Sequence, residues 1–398
     1  MPKVLLVYPH HSVGAVQYFR MSAPCHVLEK MYPEFVFVAL NGITPGEDII
    51  GNKGLPTEFV ITDDYFKQFD LIHFCRGLSG YVHVGKVADR LERMGVPYGV
   101  DLDDYWELPK THILLKEYQK KQETESVRFA IHKAHFITCT TPYLADEVRK
   151  INPNVYIIEN GIDSREPMWQ DSGISDRLRF GLMQGTTHLQ DLQLIQESIR
   201  KMFDEPSLRN KFQIKLAGFG GKHVKKGEQP TIPIIYEAVI TDSFKKLRPL
   251  NKYIEYLKLL TPENNDYGDA FPYQRIWARH VDEWGYCYDD IDVSLIPLVD
   301  NLFNSCKSEL KMIEAGMKGK AVIVSKVRPY DLLATEQNSY QVDKYGSFYL
   351  AMKRAINNPN EVKDKAEQLR EDVLKKYDLC ILSQKRRFIY NQYIKNGA

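Results

Sequence analysis

The sequence predicts an α/β protein built from two doubly wound parallel sheets, and three observations lead to this prediction. Short apolar runs alternate with helical patterns in both halves of the chain, as buried parallel strands covered by helices on both faces do. The chain has 398 residues, whereas one domain usually has roughly 100 to 200. An irregular stretch, residues 163–176, separates two series of apolar runs. We therefore expect two tandem domains of the same class.

The apolar runs give the expected strands. The first series consists of "KVLLVY", "FVFVAL", "LIHF", "YGVDL", "FITCT" and "VYIIEN". The second series consists of "RFGLMQ", "FQIKLAGFG", "DVSLIPL" and "KAVIVS". The alternation fails over residues 222–272, which contain several prolines, so we interpret them as an insertion that is helical in part at "LNKYIEYLKLL". The predicted domains are residues 1–165 and 166–377, with a C-terminal helix at about 378–398 that packs back on the first domain.

Composition excludes several classes of protein. The formal net charge of +1 argues against a protein that coats nucleic acid or anionic membrane through bulk charge. The six cysteines form no CxxC pair, which favours free thiols in a reducing compartment over a disulfide framework or a zinc site. No segment approaches about 18 unbroken apolar residues, and the first apolar run is too short for a signal peptide. We expect a cytoplasmic protein. The alternatives are a protein bound peripherally to a membrane and a phage-encoded protein in the cytoplasm of a host.

Ligands of open α/β sheets bind beyond the carboxyl ends of the strands, so the strand-to-helix junctions are the places to search. The first junction, "VYPHHSVGAVQYFR", carries Gly14, which suits either close approach to a ligand or a tight turn with positive φ. Arg20 follows about two helical turns later, and periodicity leaves open whether it points to a cleft or to solvent.

The junction "VPYGVDLDDYWELP" places three carboxylates together, Asp101, Asp103 and Asp104. Carboxylates at this spacing repel one another unless a cation, a hydrogen-bond donor or a raised pKa relieves them. A solvated turn is one interpretation. The other is that one carboxylate accepts a hydrogen bond from a substrate hydroxyl or acts as a base.

The junction "FGLMQGTTHLQDL" is the first of the second domain. Gly185 followed by Thr186 and Thr187 suits phosphate oxygens, because the backbone can approach closely and a hydroxyl can donate. The same residues also suit a helix start with Thr187 as the cap. His188, taken alone, is more often structural than catalytic.

The stretch "FNSCKSELKMIEAGMKGKAVIVS", residues 303–325, has the pattern of an amphipathic helix followed by a buried strand. A narrow arc of the helical wheel carries four charged residues, Lys307, Lys311, Glu314 and Lys318. Periodicity alone favours a solvated stripe. Two observations favour an anion site instead: Lys307 lies at the helix start, where a helix dipole disfavours a cation, and the helix follows a strand of the second sheet.

These stretches together resemble the retaining glycosyltransferases of GT-B fold, in particular the family-four (glycosyl transferases group 1) enzymes, which use nucleotide-diphosphate sugars. The resemblance is carried by "PLVDNLFNSCKSELKMIEAGMKGKAVIVS", with support from "IIENGID", "GLMQGTTHLQDL" and "YGVDLDD". It is strong over about residues 155–330 and excludes the insertion. It implies two Rossmann-like domains facing each other across a cleft, and transfer of a hexosyl or pentosyl group with retention of anomeric configuration.

The resemblance also implies roles for individual residues. Glu314 matches the second glutamate of the Glu-x7-Glu motif, which is expected to hold the ribose hydroxyls, and Lys307 is expected to neutralise the diphosphate. Asp103 and Asp104 are expected on the far side of the cleft from Lys307, in contact with donor sugar or acceptor, so that Asp103, Asp104 and Lys307 form the catalytic set. The expected donor-binding set is Gly185, Thr186, His188, Asn304, Lys307, Ser308, Leu310 and Glu314. The expected acceptor-side set is Gly14, Arg20, Arg76 and His112.

The sequence departs from the family in two places. Cys306 stands where the first glutamate of the motif belongs, and residues 185–188 replace the usual basic pair after the first strand of the second domain. These departures leave a non-catalytic nucleotide-sugar-binding module as one alternative. The expected donor is a UDP- or GDP-sugar, with a glycan or lipid-linked acceptor and no metal cofactor.

A second alternative is an enzyme that glucosylates a modified base in duplex DNA. Its motivation is the excess of basic residues in the insertion, which could track phosphates. A solvated basic face is the commoner explanation of such an excess.

Overall fold

The structure is a computed structural model that describes residues 1–8, 14–41, 63–76, 81–175, 177–208, 210–219, 232–241, 272–344 and 346–395. The chain divides into two compact units. The first unit comprises Met1–Asp163, Asn301–Ser308 and Lys376–Ala398, and the second comprises Ser164–Asp300 and Glu309–Lys375. The proposed insertion, with its helical segment and its basic residues, lies largely outside the described residues.

The first unit contains a six-stranded sheet in the order β2-β1-β3-β4-β5-β6, with every pair of neighbours parallel. Its strands are β1 Lys3–Tyr8, β2 Val36–Asn41, β3 Leu71–Cys75, β4 Tyr98–Leu102, β5 Phe136–Cys139 and β6 Val155–Ile157. Each corresponds to one of the six apolar runs of the first series. The strand order reverses direction between β1 and β3, which makes their carboxyl ends the expected ligand-binding edge.

The second unit contains another six-stranded parallel sheet, in the order β12-β11-β10-β7-β8-β9. Its strands are β7 Leu178–Leu182, β8 Phe212–Phe219, β9 Tyr273–Trp277, β10 Val293–Ile296, β11 Ala321–Ser325 and β12 Tyr340–Val342. The four predicted runs form β7, β8, β10 and β11, so the predicted fold class is confirmed. The edge strands β9 and β12 were missed. The first is irregularly paired with β8, and the second has only three residues.

Helices cover both faces of each sheet and bury the apolar residues of its strands. In chain order the helices of the described residues are α1 Ala15–Gln17, α2 Ala23–Met31, α3 Asp63–Phe66, α4 Tyr81–Met94, α5 Leu115–Lys121, α6 Glu123–Lys133, α7 Pro142–Arg149, α8 Leu189–Asp204, α9 Ile232–Thr241, α10 Leu302–Ser305, α11 Leu310–Met317, α12 Phe348–Asn357, α13 Pro359–Tyr377 and α14 Leu379–Lys395. A π-helical turn, Tyr18–Ser22, joins α1 to α2, and 3₁₀ turns occur at Pro167–Trp169, Thr186–His188, Val281–Asp290 and Tyr330–Leu332.

The C-terminal helix α14 belongs to the first unit. Ile389 and Tyr390 are buried in the core on the face of the sheet that α2 also covers, next to Phe35. Backbone hydrogen bonds from Ile162 N to Tyr377 O and from Leu379 N to Ile162 O fix the start of the helix. Across the described residues, no helix is long and apolar enough to span a membrane.

The predicted helix through Lys307 is wrong in one respect, because the structure breaks it into α10 and α11. Asn301 caps α10 by accepting a hydrogen bond from Asn304 N at 2.9 Å, and the helix ends after one turn. Lys307 and Ser308 lie in the non-helical link, and their side chains bond to other parts of the first unit. Tertiary contacts thus override the helical periodicity here.

Candidate functional site

Three carboxylates, Asp101 in β4 and Asp103 and Asp104 just after it, lie close together because each has a different cation beside it. Asp101 is fully buried and accepts two hydrogen bonds from Arg20, from Nε and Nη2, each 2.8 Å long. Arg76 Nη1 lies 3.7 Å from Asp103 Oδ1. Lys307 Nζ lies 3.2 Å and 3.3 Å from the two oxygens of Asp104.

Arg20 and Asp101 are part of the core of the first unit. The Arg20 guanidinium also donates to Ile158 O and to Asn160 Oδ1, and only 1% of its side chain is exposed. Burial raises the pKa of Asp101, but the adjacent Arg20 charge more than offsets this and holds the pKa below its usual value. Arg20, predicted on the acceptor side, therefore has all its described contacts inside the protein.

Arg76, at the carboxyl end of β3, has a strained backbone. Its φ is +72°, a region that non-glycine residues rarely adopt. Its backbone N donates to Asp101 O at 2.7 Å, and its guanidinium bonds Tyr118 Oη and lies over the Tyr118 ring. Strain of this kind persists only where neighbouring contacts enforce it, and it collects at functional sites.

Asp103 has a buried carboxylate oxygen without a hydrogen-bond partner among the described residues. This oxygen is Oδ1, and its distance of 3.7 Å from Arg76 Nη1 is too long for a hydrogen bond. Burial and the neighbouring Asp104 charge both raise its pKa, and the Arg76 charge opposes them. A carboxyl group with a raised pKa and a free acceptor can bind or deprotonate a hydroxyl group.

The position of Lys307 corrects one prediction. It was expected on the far side of a cleft from Asp103 and Asp104, but it belongs to the same unit as both and is paired with Asp104. Its ammonium group also lies 4.4 Å from the centroid of the Phe303 ring. The reason is that Phe303 and Cys306 are buried in the core of the first unit and carry Lys307 with them.

The other predicted residues of the first unit have structural contacts. Gly14 has φ −87°, so a left-handed turn is not why glycine stands there. The His112 ring packs edge-on against Phe303 with centroids 5.6 Å apart. Asn304 N is bonded by the cap, and Ser308 Oγ accepts from Asn160 Nδ2 at 2.7 Å. Cys306, in place of the motif glutamate, is buried with its thiol 3.8 Å from Tyr143 O.

In the second unit, the strand order reverses between β7 and β10, and the loops that follow these strands are tied together. Asp191 in the first turn of α8 accepts a hydrogen bond from Val299 N at 2.8 Å. The other Asp191 oxygen lies 2.7 Å from His188 Nδ1, and Lys311 Nζ lies 3.3 Å from His188 Nε2. His188, Asp191 and Lys311 thus form an array at the point where α/β sheets of this type bind ligands.

The structure of this junction differs in detail from the sequence prediction. His188, rather than Thr187, stands at the cap position of α8, after a 3₁₀ turn that begins at Thr186. Gly185 has an extended backbone with φ −80°, and among the described residues only its chain neighbours would lie within 4 Å of an added β-carbon. The side chain of Thr186 lies outside the described residues. Asp191 was missed as a site residue, although its i, i+3 spacing from His188 is the spacing of neighbouring helical side chains.

Glu314 lies on α11, three residues beyond Lys311 and four beyond Leu310, which begins the helix. It is 4% exposed, and its two oxygens accept hydrogen bonds from Trp284 Nε1 at 3.2 Å and Tyr288 Oη at 2.7 Å. Lys318 is also buried, so the expected solvated charge stripe is wrong for these two residues. Sequence reasoning missed Trp284 and Tyr288, because nothing in the pattern links the 3₁₀ segment to α11.

Among the described residues, no group of three or more His, Cys, Asp and Glu side chains is placed to hold a metal ion. That the protein needs no metal stays a prediction.

The fold is similar to that of solved structures over 98–100% of the chain. Sucrose-phosphate synthase from Thermosynechococcus elongatus matches with a TM-score of 0.62 and 12% identity, covering 100% of both chains. The chain has the GT-B fold. A glycosyltransferase from Rickettsia africae ESF-5 matches with a TM-score of 0.62 and 11% identity, over 99% of both chains. Anabaena HepE in complex with UDP and glucose matches with a TM-score of 0.64 and 11% identity, over 98% of this chain and 100% of that one. No protein-family model and no curated protein matches the sequence.

Proposed function

We propose that this protein is a glycosyltransferase that moves a hexosyl or pentosyl group from a nucleoside-diphosphate donor to a glycan or lipid-linked acceptor, with retention of anomeric configuration. The observation that carries the proposal is the array of His188, Asp191 and Lys311 where the strand order of the second sheet reverses. Expelling a nucleoside diphosphate requires positive charge placed where negative charge develops on the leaving group. Lys311 would supply this charge, held in position by His188.

The chemistry of the array fits a diphosphate. Burial opposes ionisation of Asp191, but the His188 contact keeps the pKa of Asp191 below its usual value, so it stays a carboxylate. An ionised Asp191 at Nδ1 orients the His188 ring so that Nε2 faces the Lys311 ammonium. His188 thereby holds the Lys311 ammonium at the carboxyl edge of the sheet, where it can contact a diphosphate.

The donor proposal also draws on the fold. Anabaena HepE has been crystallised with UDP-glucose, and its structure covers 98% of this chain at a TM-score of 0.62. We take a UDP-sugar as the first donor to test. Glu314 would accept hydrogen bonds from the ribose hydroxyls, as the resemblance implies.

For the acceptor, the first unit offers Asp103. Its buried Oδ1, which has no hydrogen-bond partner in the described part of the chain, and its raised pKa suit a hydrogen bond from the attacking hydroxyl group. The positive charges of Arg76 and Lys307 offset the negative charges of Asp103 and Asp104. Cys306 is buried in the core and cannot contact a sugar. In the family that the sequence resembles, a glutamate stands at this position, so its role must be taken by another residue here.

The test is calorimetric titration of the full chain with UDP and UDP-glucose. Lys311→Ala should weaken UDP binding about 10- to 100-fold, because a charge-assisted contact to a phosphate is lost. Lys363→Ala, which removes an exposed lysine of α13, is the matched control and should bind as the wild type does. Equal binding by both variants would refute the site.

A second measurement separates an enzyme from a binding module. Slow release of UDP from UDP-glucose, with water as acceptor, supports a transferase. UDP-glucose that binds but releases no UDP in the presence of glycan acceptors would favour the non-catalytic alternative.

A further inference from the structure

Glu314 is a buried carboxylate whose two oxygens are each held by one aromatic donor. Trp284 Nε1 donates to Oε1 at 3.2 Å, and Tyr288 Oη donates to Oε2 at 2.7 Å. We propose that Trp284 and Tyr288 are positioning residues that hold the Glu314 carboxylate ready to accept two adjacent hydroxyl groups of the donor nucleotide, and that they thereby set the pH range of nucleotide binding. This inference rests on the proposed function and deepens it.

The segment that carries both donors is itself fixed in place. Trp284 and Tyr288 lie in the 3₁₀ segment Val281–Asp290, with their rings edge-to-face at 6.5 Å. Gly285, between them, packs so closely on Met168 that an added β-carbon would lie 2.5 Å from Met168 O. Lys318 links the segment to Met168 a second time, because its ammonium group donates to Met168 O at 3.1 Å and pairs with Asp289 in the segment. These contacts fix the segment that positions the two donors.

The Glu314 carboxylate can accept two more hydrogen bonds from a ligand. An ionised carboxylate has about four acceptor positions, two on each oxygen. Trp284 and Tyr288 take one on each oxygen, which leaves one on each for further donors. A pair of hydroxyls on adjacent carbons is the group that matches two neighbouring acceptors. A ribose with free 2′ and 3′ hydroxyls has such a pair, whereas a 2′-deoxyribose does not.

Glu314 must be ionised to accept both hydroxyls. Burial raises its pKa to about 7, while Tyr288, Lys311 and Trp284 favour the ionised form and oppose the rise. Of the titratable groups that face it, Cys287 and Tyr288 have raised pKa values and stay neutral, as does Tyr330 beside Tyr288, so Lys311 supplies the charge. Nucleotide binding should therefore strengthen as pH rises through about 7.

Tyr288→Phe tests the proposal because it removes the shorter hydrogen bond and keeps the ring. Loss of a bond to an ionised group should raise the pKa of Glu314 by roughly one to two pH units. UDP affinity, measured by calorimetry from pH 6 to 9, should then have its midpoint shifted upward by the same amount. At pH 9 the variant should bind within about threefold of the wild type.

If Tyr288 had only a structural role, the UDP affinity of Tyr288→Phe would not recover at high pH. Tyr286→Phe, which changes a neighbouring tyrosine of the same segment, should leave the midpoint unchanged. Trp284→Phe, which removes the longer bond, should shift it upward by less, and it carries the test if Tyr288→Phe does not fold. A Tyr288→Phe profile that coincides with the wild type, or a loss of affinity that is equal at every pH, would overturn the proposal.

Two readouts distinguish failure of this inference from failure of the proposed function. A ¹³C-carboxyl NMR titration measures the pKa of Glu314 in wild type and Tyr288→Phe without any nucleotide. If wild-type protein binds no nucleoside diphosphate at any pH, the proposed function fails and this inference fails with it, even where the NMR shift is found. If the wild type binds UDP, the comparison of UDP with 2′-deoxy-UDP decides: equal affinities would contradict the paired-hydroxyl contact.

Discussion

His73 is a neutral histidine at the centre of a buried polar network in the first unit. Its Nδ1 lies 2.8 Å from Tyr390 Oη on α14, and its Nε2 lies 3.1 Å from Thr138 Oγ1. Thr138 in turn donates to Asp101 at 2.6 Å. The network therefore links the sheet to the C-terminal helix through groups with little or no exposure to water. Each group is costly to bury unless its partners remain in place.

The network predicts a pH dependence of stability that is specific to His73. Burial lowers the pKa of His73 to about 3, whereas the unfolded chain has a value of about 6.5. The unfolded state therefore binds more protons between these limits, and folding weakens as pH falls from about 6.5 towards 3, by up to about 1.4 kcal/mol per pH unit.

Urea unfolding at pH 7, 6, 5 and 4 tests this prediction. His73→Gln should be less stable than wild type at pH 7, but its stability should fall less steeply below pH 6.5. His132→Gln, at an exposed position of α6, should keep the wild-type slope. Parallel curves for wild type and His73→Gln would contradict the assignment of a buried neutral imidazole.

The break between α10 and α11 shows what periodicity can and cannot predict. The amphipathic pattern agrees with the burial of Ile313 and Met317, and the strand predicted to follow is present. It cannot show that Lys307 and Ser308 bond to Asp104 and Asn160, which lie about 150 to 200 residues earlier in the chain. Nor can it show that Trp284 and Tyr288, which lie 30 and 26 residues before Glu314 in a separate 3₁₀ segment, donate hydrogen bonds to Glu314. These contacts are long-range in sequence, and no local pattern encodes them.

Helix α11 offers a test in which two effects oppose each other. Gly316 lies against α13, where an added β-carbon would be 2.8 Å from Leu369 Cγ and from Val373 Cγ2. Alanine is favoured over glycine within a helix by up to about 1 kcal/mol. Overpacking a core typically costs about 1 to 3 kcal/mol, so Gly316→Ala should lower the free energy of unfolding by roughly 1 to 2 kcal/mol.

Gly185→Ala is the matched control in the same unit, since no atom of the described residues, apart from the two chain neighbours, lies within 4 Å of the added carbon. It should leave stability unchanged or slightly raised, because the unfolded chain loses conformational freedom. Both variants are compared by urea unfolding at pH 7. A Gly316→Ala protein as stable as wild type would mean that α11 and α13 pack less tightly than the structure shows.

The two sheets show how far sequence reasoning goes for the fold. Apolar runs identified the central strands, and the rule that parallel strands alternate with helices identified the class. Strand order was not predicted, because it depends on which crossovers pack best and not on any single run. The order decides the site, since it brings the loop after β7 next to the loop after β10 and ties Asp191 to Val299 N. The sequence thus predicted the loop of His188 but not its partners.

Separate cores in the two units lead to a prediction about ligand-linked stability. Under the proposed function UDP binds the second unit, so it should raise the unfolding transition of that unit by RT ln(1 + [L]/Kd), about 2.7 kcal/mol at 100 times Kd. The transitions can be assigned by substitution: Gly316→Ala lowers that of the second unit, and Ile389→Ala, which leaves a cavity in the core of the first unit, lowers that of the first. Calorimetric scans with and without UDP should show a shift only in the transition that Gly316→Ala lowers. A shift confined to the transition lowered by Ile389→Ala would place the nucleotide on the first unit and refute the array of His188, Asp191 and Lys311 as its site.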